Sequence, residues 1–223
     1  MSDTIIEYYN HLAKDYDRDR FANSYGQFID YQERRVLSKW GVSPSGTVDL
    51  ACGTGRLTDF AETGVDASEG MLAEARKRHP QKHFICAPGQ ATTLPDESVD
   101  TVISFHLMMH LEPSVIQEIA DEMARILRSG GRFIFDIPSQ RRRSLLGKKR
   151  ENWHGSTGLD LEQVKQICGS KFTIRRRHGI MMLPIHQLPK SVRKPMRSLD
   201  YMLCGSLLKS YSSYVVYELI KNA

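Results

Sequence analysis

The sequence predicts an α/β domain built on a doubly wound, mainly parallel sheet of seven strands, with helices at the N-terminus and a helical insert near the C-terminus. Three observations carry this. From Thr47 onward, short apolar runs of strand character alternate with amphipathic helices; a glycine-lined loop follows the first run; and an acid ends the second. At 223 residues the chain suits one such domain rather than two. It is therefore read as a single unit, with 1–44 helical, 45–138 the core, and 139–223 a C-terminal part containing the insert at 184–210.

In the first forty residues, Ile5, Ile6, Tyr9 and Leu12 share one face of a first helix, and Phe28, Ile29, Val36 and Leu37 mark a second. Gly41 and Ser43-Pro44-Ser45-Gly46 break the pattern. Thr47–Ala51 then reads as a buried strand. Ser68–His79 reads as a helix with Ser68 as its N-cap and Pro80 after its end. His83–Ala87 and Val99–Phe105 are further strands. Ser114–Arg128 carries an apolar stripe of Val115, Ile119, Met123, Ile126 and Leu127, and Ser129-Gly130-Gly131 is expected to stop it before a strand at Arg132–Ile137. Beyond Pro138, Arg141–Arg150 reads as basic loop or frayed helix and Gly158–Cys168 as a helix. Phe172–Ile180 and Tyr214–Ile220 read as strands.

Composition narrows the function classes. No apolar run reaches the eighteen or so residues of a membrane span, and the polar start Met1-Ser2-Asp3-Thr4 argues against a secretory signal. Cys52, Cys86, Cys168 and Cys204 form no C-x-x-C pair, so neither a zinc site nor a disulfide framework is expected, which suits a cytoplasmic location. The net charge of +5 is unevenly spread. Residues 1–139 hold 14 Lys+Arg against 21 Asp+Glu, whereas 140–223 hold 17 against 5. That basic third is either a solvated face or a surface for an anionic partner.

The chemistry begins at Val48-Asp49-Leu50-Ala51-Cys52-Gly53-Thr54-Gly55-Arg56-Leu57, where an apolar strand enters a loop whose small residues let a ligand lie against the backbone. A dinucleotide site would place a third glycine where Thr58 stands. The second signal is Gly64-Val65-Asp66-Ala67-Ser68: a carboxylate at a strand tip can accept from both hydroxyls of a ribose. With Gly89–Pro95, Asp100–Leu111 and Arg125–Phe133 in the same order, residues 45–138 closely resemble the class I S-adenosylmethionine (SAM)-dependent methyltransferases, in the small-molecule group that includes ubiquinone-biosynthesis-type enzymes.

The resemblance implies a Rossmann-like methyltransferase fold, SAM as cofactor, and roles for individual residues. Asp49, Ala51, Gly53 and Gly55 would surround the methionine portion, and Asp66 the ribose. Met71 or Ala67 would pack on the adenine, Gln90 and Ala91 would meet its edge, and Ser104 and Phe105 would close the pocket beside the sulfonium. The N-terminal helices resemble the lid of this group, with Tyr9 or Tyr16 at the methionine end or facing the sulfonium and Arg20 pairing with a carboxylate. Three departures stand out: Ala51 replaces a frequent glycine, Gln90 replaces a frequent aspartate, and Gly55 to Asp66 spans only eleven positions. At about 1.5 Å rise per helical residue, that spacing predicts a truncated first crossover helix.

Methyl transfer needs alignment above all, and a base only when the acceptor loses a proton. His106 and His110 are the candidate bases, with His154 and His186 behind them, and Asp136 is a candidate for the substrate cleft. No clustered Asp/Asn set suggests a metal. The expected partner is a small molecule, anionic or carrier-tethered, held under the insert, where Met181, Met182, Leu183, Leu188, Met196, Met202, Leu203 and Leu207 are either a pocket wall or ordinary core. Neither a membrane nor nucleic acid is expected. Arg141–Arg143, Lys148–Arg150 and Arg175–Arg177 keep an RNA or peptide methyltransferase as the alternative, although they lack interleaved stacking aromatics. A non-catalytic SAM-binding module and a nicotinamide-dependent enzyme are the other rivals.

Overall fold

The computed structural model describes residues 3–147 and 155–223. Three helices open the chain, α1 (Asp3–Leu12), α2 (Tyr16–Phe21) and α3 (Ser24–Lys39), where periodicity predicts two. The extra break is made by polar contacts rather than apolar spacing. Asn23 caps α3 by accepting from Gly26 N at 2.9 Å, and Gly26 lets the two helices close up, since a Cβ there would stand 2.1 Å from the Arg20 carbonyl oxygen.

Strand β1 (Thr47–Leu50) is followed by only a 3-10 turn at Thr58–Phe60 before β2 (Thr63–Asp66), as the short spacing predicts. Next come α4 (Glu69–Arg78), β3 (His83–Cys86), β4 (Val99–Ser104), α5 (Pro113–Ile126) and β5 (Leu127–Pro138). Ser68 caps α4, accepting from Met71 N at 3.2 Å. The expectation for Ser129-Gly130-Gly131 is corrected: α5 passes directly into β5 at Leu127, and the glycine pair sits inside the strand. It fills an irregularity in which Val99 pairs with Leu127 and Thr101 already with Arg132. Helix α6 (Gln140–Leu145) precedes α7 (Leu161–Cys168), which starts at Leu161 rather than Gly158 because Asp160 and Gln163 form a capping box. Strand β6 (Phe172–Ile180), α8 (Lys190–Gly205) and β7 (Tyr214–Lys221) complete the chain.

The seven strands run in the order β3-β2-β1-β4-β5-β7-β6. The first five are parallel, and β7 is antiparallel to both β5 and β6. Alternate residues of the central strands face opposite cores. Val102, Phe133, Phe135 and Tyr217 pack with α5 and α7, whereas Ile103, Ile134 and Val216 pack with α3 and the segment leading into α8. Each fully buried aliphatic side chain here stabilises the fold by about 1.5–3 kcal/mol relative to exposure. The insert is tied down by a buried acid: Asp200 of α8 accepts from Gln32 Nε2 of α3 at 2.5 Å and from Leu183 N at 2.6 Å.

The insert's apolar residues are partly core and partly neither core nor pocket wall. Leu183, Leu188 and Met196 pack on the α3 core and Met181 lies within it, but Met202 and Leu207 are 64% and 97% exposed. Within the basic run Arg175–Arg177 the middle member is turned inward: Arg176, with Arg132, pairs with Glu218, which is fully buried on β7, and also stacks on Trp40, whereas the Arg175 side chain is 58% exposed. Among the described residues no helix is long and apolar enough to cross a membrane. His154 and the run Lys148–Arg150 lie outside the described residues.

Candidate active site

The strand order reverses between β1 and β4, so their C-terminal ends diverge and leave a crevice at the switch point. The loop after β1 lines it with a backbone that reverses hand repeatedly: Ala51, Gly53 and Gly55 have φ of 55°, 55° and 79°. For Ala51 this left-handed conformation costs about 1–2 kcal/mol, which a glycine would avoid. Gly53 borders open space, since nothing lies within 4 Å of where its Cβ would stand. A ligand can therefore approach the main chain there. Gly55 does a different job: its carbonyl accepts from His79 at 2.8 Å, and α4 packs so close that a Cβ would meet Ala75 and His79.

Two adjoining cavities fill the crevice. The larger, of about 670 Å³ including its open mouth, is lined by Tyr9, Tyr16, Ala51, Gly53, Asp66, Ala67, Met71, Phe105, His106 and His110, with Ile5, Leu50, Ala87, Gly89 and Leu107. The second shares Tyr16, Ala51, Gly53, Phe105 and His106 with it and adds Asp49 and Arg56. These shared residues form a waist between an apolar lobe and a polar one. The N-terminal helices cover it because polar contacts pin them down. Asn10 Oδ1 accepts from Ser68 Oγ at 2.6 Å and from Gly70 N at 2.9 Å, and Asp17 accepts from Thr54 Oγ1 at 2.7 Å.

Asp66 stands at the tip of β2, accepting from Gly53 N and Ser68 N at 2.8 Å each. These bonds fix the carboxylate yet leave lone pairs for a ligand. Burial pushes its pKa upward against those two backbone donors. Asp49 is buried and accepts from Thr58 Oγ1 at 2.8 Å. The residue in place of a third glycine is thus the partner of a buried acid. Burial raises the Asp49 pKa to about 7. A folded-state value above the unfolded one stabilises the fold at low pH and loses that contribution as pH rises through it. Asp49→Asn is therefore expected to remove a decline in unfolding free energy of about 2 kcal/mol between pH 5 and 7, as read by urea denaturation at each pH.

The remaining polar groups form one buried cluster. His106 adopts φ of 60°, held by its N–H donating to Asp136 Oδ1 at 2.7 Å. This turn swings the imidazole to the waist, where Nε2 lies 2.7 Å from Glu33 Oε1 and Nδ1 3.7 Å from Asp136 Oδ2. Glu33 also pairs with Arg56 at 2.7 Å, and Arg56 pairs with Asp30 and lies under the Phe21 ring. Burial disfavours the charged ring of His106, but Glu33 and Asp136 outweigh it and raise its pKa. Burial likewise pushes Glu33 up, and Arg56 and His106 more than reverse the effect. Burial lifts Asp136 to about 6 against the pull of His106. Glu33, His106 and Asp136 also have the mutual spacing of metal ligands. Arg56 already compensates Glu33, however, and the two acids address opposite ring nitrogens.

Several residues singled out from sequence sit outside the cavity linings. Ala87 and Gly89 line the apolar lobe in place of Gln90 and Ala91; Gly55 packs behind the loop; and Ser104 is buried beneath the floor. Arg20 is exposed on α2 beside the Tyr16 hydroxyl and, among the described residues, pairs with no carboxylate. His110 lines the apolar lobe with its Nδ1 accepting from Gly155 N at 3.0 Å. His186 lies in a separate cavity. Glu33 was not anticipated. Its signal was a charge on the apolar face of α3, four residues after Ile29 and three before Val36.

This sheet order, with an antiparallel β7 between β5 and β6 and a glycine loop facing an acid across the switch point, is the Rossmann-like fold of the class I SAM-dependent methyltransferases. Residues 48–135 match a family model described as a methyltransferase domain. The chain is 30% identical over 144 residues to a ubiquinone/menaquinone biosynthesis C-methyltransferase of Campylobacter jejuni, covering 57% of this chain and 60% of that protein. It is 39% identical over 137 residues to a demethylmenaquinone methyltransferase of Beutenbergia cavernae, covering 56% and 54%. The matches thus span under two thirds of these relatives' length. A SAM-dependent methyltransferase structure from Thermotoga maritima superposes with a TM-score of 0.71 at 20% identity, over 96% of this chain and 98% of that one.

Proposed function

We propose that the protein transfers the methyl group of SAM to a small-molecule acceptor whose reacting atom gives up a proton to His106. The observation that carries this is the waist of the crevice, where a strained histidine, backed by Glu33, faces the same space as the glycine loop and Asp66. The open space beside Gly53 and the spare lone pairs of Asp66 fit an adenosyl group. SAM, when bound, supplies an activated methyl group on a sulfonium.

The chain's own residues do the rest. Asp66 would hold the ribose hydroxyls, Met71 and Ala67 the adenine face, and Tyr16 and Phe105 would exclude water at the waist. His106 would receive the acceptor's proton at Nδ1, since Nε2 is turned to Glu33, and Glu33 would stabilise the imidazolium that results, the role of an orienting acid beside a base. This suits an acceptor hydroxyl or an activated ring carbon, the latter in keeping with the quinone-pathway carbon methyltransferases it resembles.

Calorimetric titration with SAM and with NAD tests the cofactor, and labelled-methyl transfer to metabolite extracts tests the acceptor. SAM binding without NAD binding, and label in low-mass products, are expected. NAD binding alone, or label confined to RNA or protein, would overturn the reading.

A further inference from the structure

A third cavity, of about 990 Å³ including its open mouth, lies between α6, the segment around Met181–Gln187 and Tyr214. Two arginines of α6, Arg142 and Arg143, line it, and among the described residues none of its lining is acidic. The cofactor crevice contrasts with it, since Asp66 lines one lobe and Asp49 the other. Cations gathered in a concave, low-dielectric wall without carboxylates focus a positive potential into the space they enclose.

Arg142 is also built to hold something. Its Nη1 donates to the carbonyls of Met182 at 3.0 Å and Tyr211 at 2.8 Å, and among the described residues it pairs with no carboxylate. The carbonyls fix the guanidinium plane while neutralising none of its charge. Its Nε–Nη2 edge carries no hydrogen bond among the described residues, leaving the planar fork that grips an oxyanion through two parallel bonds. A single ring stands between the cavity and His106: Tyr214 lines it, and the Tyr214 ring meets the His106 ring edge-on at 5.6 Å between centroids.

We infer that this cavity is the acceptor site and that the acceptor carries an oxyanion, a carboxylate or a phosphate, gripped by Arg142 while its nucleophilic atom extends past Tyr214 toward His106. The inference rests on the methyltransferase reading above and adds the substrate class. Of the basic run 141–143, only the second and third members face the cavity; Arg141 lines a separate small pocket.

The test is a protein-observed NMR titration of the full chain, saturated with S-adenosylhomocysteine, using phenylacetate, phenyl phosphate and neutral 2-phenylethanol as probes. At least one anion is expected to bind about tenfold more tightly than the alcohol, and the tighter one identifies the oxyanion. Arg142→Gln is expected to weaken that anion about tenfold, and Arg141→Gln to leave it unchanged. Because Arg142 also braces two carbonyls, a second variant is needed. Leu146, on the cavity rim and 51% exposed, tolerates a charge, and Leu146→Glu is expected to weaken anions several-fold without affecting the alcohol. Anions that bind no better than the alcohol, or that ignore both Arg142→Gln and Leu146→Glu, overturn the proposal. If the wild type binds S-adenosylhomocysteine in that experiment, the failure is of the anion site alone; if it does not, the methyltransferase reading fails first.

Discussion

Replacing His106 with glutamine is expected to lower turnover by about 10²–10⁴-fold, with a much smaller change in cofactor affinity. The argument is geometric before it is electrostatic. Among the described residues His106 is the one histidine at the waist shared by both lobes, and its left-handed backbone is held there by Asp136. Glutamine keeps polarity and much of the length but cannot take a proton. The pH profile provides the check that a structural role would not move. A base must be neutral to accept, so the rate should rise with pH through the raised pKa of His106. Glu33→Gln removes the largest contribution raising that pKa, so the acidic limb should move to lower pH while the maximal rate falls. For stability the sign is opposite: the charged His106 pair helps the fold below the ordinary histidine value and is lost as pH rises through the raised one. Stopped-time assays across pH with both variants decide the matter. An unchanged rate in His106→Gln would remove the proton-transfer role.

Asp66→Ala is expected to weaken SAM binding by about 1–3 kcal/mol, roughly 5- to 150-fold in Kd. Two losses combine. The ligand loses a charged acceptor, and the amides of Gly53 and Ser68 lose the carboxylate that now aligns the glycine loop with the start of α4. Asp66→Asn should recover part of the second loss, because an amide oxygen still accepts one of those bonds, but not the first. Calorimetry on the three proteins separates the two. Equal affinity for all three would refute the ribose assignment.

Much of this was legible in the chain's pattern. Alternating strand and helix periods, Ser68 before α4, and the eleven-position step from Gly55 to Asp66 each express a local rule, and the structure follows them down to the 3-10 turn that replaces a crossover helix. Asp66, Ala67, Met71 and Phe105, to which the resemblance gives cofactor roles, line the crevice together with the glycine loop, because a strand tip and its following loop lie next to one another in sequence as well as in space. Where the reading missed, the cause was contact between distant segments. The break between α2 and α3 depends on Gly26 meeting the Arg20 carbonyl. Arg176, which looked like part of an open basic patch, is drawn inward by Glu218, 42 residues away.

The sequence alone, then, determined the strand–helix rhythm, the loop that bares its main chain and the acid beside it, since each is a matter of neighbouring residues and their spacing. Tertiary structure alone decided which histidine reaches the waist of the crevice, that Glu33 stands behind it, and which arginines face a cavity rather than solvent. Those outcomes depend on where α3, β4, β5 and α6 meet in space, and burial with opposite charge sets the protonation of groups that are otherwise ordinary.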